Sequence, residues 1–152
     1  MTWMIVRVRG TIHARRDIVE TLRFLHLTRP NHATVVPEAP SFRGMLTTVQ
    51  GYVTWGEADP ATVGLLLEQR GETARGHRLT AATVGEVGKD AQLPELARSV
   101  AEHGLPTVKG LQPLFRLKAP KGGWRSTKKP FAHGGALGYR GRAINDLVRR
   151  MV

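Results

Sequence analysis

The chain has 152 residues, 41% of them hydrophobic, enough for one domain with its own buried core. It has no cysteine, which excludes disulfides, thiolate zinc sites and cysteine nucleophiles together, and no apolar run approaches the ~20 residues of a membrane-crossing helix. Its 23 Lys and Arg against 12 Asp and Glu give a net charge of +11, so an acidic partner is expected, and the excess of Arg over Lys favours phosphate over a lipid surface because the guanidinium fork binds phosphate oxygens in pairs.

Residues 3–9 alternate, with Met4, Val6 and Val8 on one face and Arg7 and Arg9 on the other, as a strand with one buried side should. Gly10 ends it. From residue 15, Ile18, Leu22 and Leu25, with Val19 beside them, make a helical stripe that Pro30 and Asn31 stop, and 33–36 is a short β-rich run. Pro40 and Ser41 open a second helix carrying Phe42, Met45, Leu46 and Val49 at i, i+3, i+4 and i+7; after Gln50 and Gly51 a third strand covers 52–55. The order β-α-β-α-β predicts an α+β unit of ferredoxin-like character, with each helix covering one face of a small sheet and the other face leaving Arg7 and Arg9 available. Trp55 and Phe42 are assigned to its core.

Asp59 and Pro60 signal the start of a helix bearing Val63, Leu66 and Leu67 and ending near Arg70 and Gly71. A polar loop covers 72–78, Thr80 can cap a short helix to Val87, and Leu93 and Pro94 start another with Leu96, Ala97 and Val100 before Gly104. Residues 105–115 read as a connection with an extended piece. Three segments result: a ferredoxin-like core over 1–58, a helical extension over 59–112, and a basic, Gly-rich extension over 113–152.

The last segment carries the charge imbalance. From Arg116 onward ten Lys and Arg face one acid, Asp146, whereas the preceding residues are nearly balanced. Like charges repel, so such a block stays extended or mobile unless a polyanion neutralises it, and phosphate is the commonest remedy. Gly122, Gly123, Gly134, Gly135, Gly138 and Gly141, with Pro120 and Pro130, leave no run in its middle for a helix or a strand. Trp124, Phe131, His133 and Tyr139 offer faces for unpaired bases. Ile144, Leu147, Val148 and Met151 then form the stripe of a terminal helix over 143–151 that can dock the segment onto the body.

Catalytic signatures are missing. None of Ser41, Ser99 and Ser126 lies in Gly-x-Ser-x-Gly, the six histidines lack His-x-x-x-His spacing, and the glycines at 135, 138 and 141 match neither a Walker loop nor a dinucleotide fingerprint. One enzymatic alternative is an acylphosphatase-type hydrolase, loosely similar at residues 8–15, where Arg9 and Gly10 follow the first strand; its Gln-Gly-Val-x-Phe-Arg loop is absent. A free RNA chaperone is the other alternative. No cofactor, metal, small-molecule substrate or membrane partner is expected.

Taken together the residues resemble the large-subunit ribosomal protein L-thirty family in its archaeal form, homologous to the eukaryotic protein L-seven. The resemblance runs through Thr21, Leu22 and Leu25, through Val35-Val36-Pro37 and Arg43-Gly44-Met45, then Trp55-Gly56 and Arg70-Gly71. It continues in Phe115-Arg116-Leu117, Pro120-Lys121-Gly122-Gly123, His133-Gly134-Gly135 and Gly138, and closes on Ile144-Asn145-Asp146-Leu147-Val148-Arg149-Arg150-Met151; residues 72–110 match poorly. It implies a non-catalytic structural constituent of the large ribosomal subunit, cytoplasmic and ribosome-bound, whose partners are the large-subunit ribosomal RNA, the small (5S) RNA and neighbouring ribosomal proteins. Folded RNA is recognised mainly by shape, phosphates and 2′-hydroxyls, which suits an Arg-rich surface. The candidate RNA contacts are Lys121, Arg125, Lys128 and Lys129, then Arg140 and Arg142, with Lys118, His133 and Arg43 completing the set. Arg149 and Arg150 favour their helix dipole as much as RNA.

Overall fold

The computed structural model describes residues 1–87 and 92–152. The chain runs β1 (Thr2–Arg7), α1 (Arg16–Phe24), β2 (His32–Pro37), α2 (Pro40–Val49), β3 (Val53–Glu57), α3 (Pro60–Arg70), α4 (Leu93–His103), β4 (Phe115–Arg116), β5 (Ser126–Pro130), β6 (Gly135–Tyr139) and α5 (Ala143–Met151). The strands form one sheet in the order β4-β2-β1-β3-β6-β5. β1 lies between β2 and β3, antiparallel to both, with Met4 opposite Val35 and Gly56. This is the expected α+β sheet with ferredoxin-like character.

Both faces of β1 are buried. Met4 and Val6 point into a cluster with Val63, Leu66, Leu67, Val100 and the apolar stripe of α5. Trp3 and Ile5 point the other way, against Leu22 and Leu25 of α1 and Leu46 and Val49 of α2. Period-2 alternation therefore separates two apolar sets, and helices cover the sheet on both sides. The expectation that Arg7 and Arg9 would lie free on an open face is corrected. Arg7 shares its face with Trp3 and Ile5, and that face carries its own core. Its guanidinium is buried and donates to the carbonyl oxygens of Arg9 (2.9 Å) and Leu27 (2.8 Å) and to Thr11 Oγ1 (3.2 Å). Arg9 is half-buried, donates to the Gly51 carbonyl at 3.3 Å, and sits over the Tyr52 ring. Trp55 and Phe42, assigned to the core, are each half-buried against the α1–α2 cluster.

Two further expectations change. The short helix to Val87 is only a single 3-10 turn, Val84–Glu86, because the Thr83 hydroxyl takes the Thr80 N–H at 2.7 Å and bonds back to the Arg78 carbonyl. The basic segment also contains strands. β6 pairs parallel with β3 through Thr54–Gly138 and Trp55–Tyr139, and β5 pairs with β6 in an irregular register. The glycines enable this pairing. Gly134 closes the turn with φ +77, and Gly135 lies so close to the Lys129 backbone that a Cβ would overlap the Lys129 carbonyl. β4 closes the opposite edge against β2, with Ala33 opposite Phe115.

The terminal helix docks as its stripe requires. Ile144, Leu147, Val148 and Met151 are all buried. At about 1.5–3 kcal/mol for each such side chain, this face offers roughly 6 kcal/mol or more of gross stabilisation. Asn145 fixes the register: its Nδ2 donates to the Glu57 carbonyl at 3.0 Å and the Arg142 carbonyl at 2.9 Å, while its Oδ1 accepts from the Asp59 N–H at 2.9 Å. Gly56 makes room, since a side chain there would strike the Gly141 carbonyl in the turn that opens α5.

Candidate nucleic-acid interface

The sheet edge and the end of α5 hold most of the candidate cations. Lys128 and Lys129 stand exposed on β5, the outermost strand. Lys118 and Lys121 are exposed on the stretch that passes the end of α5, where their N–H groups donate to the carbonyls of Met151 (3.0 Å) and Arg150 (3.1 Å). Those two bonds satisfy carbonyls that a helix C-terminus otherwise leaves open, and they bring two lysines beside Arg149 and Arg150. Lys121, Arg125, Lys128 and Lys129 make no ion pair among the described residues. Four solvated cations without carboxylate partners form a surface that attracts phosphate without first losing a protein contact.

Arg140 is held differently. It is half-buried, its Nε donates to Thr54 Oγ1 at 2.7 Å and its Nη2 to the Ala136 carbonyl at 2.8 Å, and its guanidinium lies 4.8 Å from the Phe131 ring centre. Burial lowers its pKa to about 10, with repulsion from Arg150 and Arg125 adding to the effect, so it stays charged at neutral pH. Arg125, Arg140 and Arg150 line one cavity of 230 Å³ with Phe131, Ala136 and Leu147. Phe131 is thereby a support for Arg140 at the cavity's edge, 37% exposed. His133 is exposed in the turn after it. Trp124 is half-buried and packs on the body.

Arg142 and Arg43 lie apart from this group. Arg142 borders a groove with Glu57, Asp59, Glu102 and Asp146. Arg43 is exposed on α2, where it pairs with Glu38 at 3.8 Å and rests over the Trp3 ring. Tyr139, exposed beside them, donates its hydroxyl to the Glu57 carboxylate, which raises the phenol pKa.

Two cations near this surface, Arg70 and Arg78, are not among the sequence-based candidates, and Arg150, which the sequence assigns to its helix dipole as much as to RNA, lines the Arg140 cavity. Arg70 and Arg78 come from the charge-balanced part of the chain, and with Arg116 and Lys118 they border a groove of 670 Å³. Glu72 is the acid there, paired to Arg116 at 3.3 Å. Arg150 belongs to the block of charge from Arg116 onward; only the fold joins Arg70 and Arg78 to the basic segment.

Comparison with known proteins gives one family. Residues 3–53 match the family model described as ribosomal protein L30p/L7e. Over 149 residues, 95% of this chain and 100% of the relative, the chain is 44% identical to the large ribosomal subunit protein uL30 of Methanopyrus kandleri. It is 41% identical to uL30 of Methanosphaera stadtmanae, covering 99% of each chain, and 41% identical to uL30 of Nanoarchaeum equitans, covering 99% of this chain and 98% of that one. These matches extend through the 72–110 region and the basic segment, so the chain belongs to the uL30 family of large ribosomal subunit proteins.

Proposed function

We propose that the chain is a structural constituent of the large ribosomal subunit that binds ribosomal RNA through phosphate and shape contacts. The observation that carries this reading is the group of exposed cations, without carboxylate partners among the described residues, at Lys121, Arg125, Lys128 and Lys129, on a chain related over its full length to large-subunit proteins. Lys118, Arg140 and Arg150 extend this surface toward the end of α5. Arg43, His133 and Arg142 are outlying contacts in the same proposal. The partners are large-subunit RNA, 5S RNA and neighbouring ribosomal proteins, in the cytoplasm.

The role is architectural, with no catalytic step. Arg9, the residue an acylphosphatase-type reading would need at a phosphate, is engaged with the Gly51 carbonyl and the Tyr52 ring. A surface of this kind binds by neutralising phosphates, and counterion release makes such binding strongly dependent on salt. The test is sedimentation of a cell extract through a gradient at moderate salt. The protein travels with large subunits and leaves them only at high salt; its recovery at the top of the gradient at moderate salt would refute the reading.

A further inference from the structure

We infer that Arg125, Arg140 and Arg150 form a socket for a single phosphate group, and that an RNA phosphodiester, at a point where the backbone turns inward, fills it. The inference rests on the RNA-binding reading for the source of the phosphate, whereas the socket itself stands on its geometry.

Arg125, Arg140 and Arg150 line one cavity of 230 Å³, and among the described residues no carboxylate lines it. None of the three is in an ion pair among the described residues, although Arg149, next in sequence to Arg150, is paired with both Asp59 and Asp146. Uncompensated like charges at one place are unfavourable in a free protein and become favourable when an anion enters. Arg140 is the fixed member. Thr54 Oγ1 and the Ala136 carbonyl hold two of its N–H groups and Phe131 covers one side of its plane, so its remaining donors are oriented before any ligand arrives. Arg125 and Arg150 are exposed, so their side chains can adjust to the ligand. Ala136 and Leu147 give the cavity an apolar floor, which strengthens charge-assisted hydrogen bonds made above it. Lys128 and Lys129 differ: they are mobile point charges on an open edge, suited to following a backbone without fixing its register.

Two arms of one experiment on the full chain test this, with Arg150→Gln as the variant because Arg150 is exposed and its loss leaves the core intact. In the first arm, inorganic phosphate is titrated at constant ionic strength and the Arg140 Nε–H resonance is followed. It shifts saturably in the native chain, and the shift is lost in Arg150→Gln. In the second arm, large-subunit RNA is ethylated sparsely at its phosphates and selected by binding. Ethylation at one particular phosphate weakens binding by the native chain about tenfold or more, and that penalty is absent for Arg150→Gln. No saturable shift in the first arm overturns the socket. A shift without any such phosphate in the second arm overturns the RNA source and leaves a site for free phosphate. Failure of the native chain to bind unmodified RNA overturns the RNA-binding reading itself, an outcome distinct from either.

Discussion

Replacing Lys128 and Lys129 together by alanine removes two cations from the outermost strand of the sheet without touching the core. Both side chains are exposed, and neither makes an ion pair or side-chain hydrogen bond among the described residues, so stability should change by no more than about 0.5 kcal/mol. RNA affinity responds differently. Each neutralised phosphate contributes about 0.7 to 0.9 to the slope of log affinity against log salt, so the pair accounts for about 1.4 to 1.8. Across a fourfold rise in salt, from about 50 to 200 mM, the native chain should lose about seven- to twelvefold more affinity than the double variant. Fluorescence anisotropy with large-subunit RNA across that range measures both slopes, and circular dichroism checks the fold. Lys109→Ala, an exposed lysine outside the surface, is the control and should leave the slope unchanged. Equal slopes for the double variant and the native chain would refute the assignment of β5 to the interface.

Truncation after Phe115 removes β5, β6 and α5, uncovers the edge of β3 and strips Ile144, Leu147, Val148 and Met151 from the core; the fragment should lose cooperative thermal unfolding, and a sharp native-like transition would contradict the packing described. Asn145→Ala leaves the part-buried Asp59 N–H without its acceptor and removes two further bonds, so urea unfolding should register a loss of about 2–3 kcal/mol, with a change below ~0.5 kcal/mol counting against the role given to Asn145. His32 is buried, its Nδ1 has no partner among the described residues, and desolvation, followed by Arg116, Arg29 and Arg7, lowers its pKa below 6.5. The unfolded chain therefore binds more protons there, and stability declines as pH falls below about 6.5. His32→Leu should flatten that decline between about pH 7 and 5, and superimposable profiles would exclude His32 as its source.

Much of the architecture is readable from local pattern. The i, i+3, i+4, i+7 stripe of 144–151 and the proline-led starts at Pro60 and Leu93–Pro94 carry their own signals, and the observed helices begin where those signals fall. The strands at 126–130 and 135–139 are not readable this way. Lys128 and Lys129 are adjacent and both exposed, while Ala136 and Leu137 are adjacent and both buried, so neither strand alternates; they exist because β3 offers an edge and glycines let the backbones meet. Arg7 was misplaced for a related reason. A guanidinium can enter a core only where carbonyl groups await it, and one of those belongs to Leu27, beyond the first helix. At the site, the cations of 118–129 are visible as a block of charge. The support of Arg140 depends on Thr54, 86 residues away, which no local window contains.

The sheet order places the earliest strands inside and the latest ones outside: β4 closes one margin, and β6 with β5 closes the other. A nascent chain therefore presents β1, β2 and β3 with both flanks bare until its final third has been synthesised, a state in which exposed strand margins invite pairing with other molecules. Completion of translation both seals those flanks and supplies the cations of the candidate interface. An interrupted product is consequently unfinished in its fold and short of its basic surface at once.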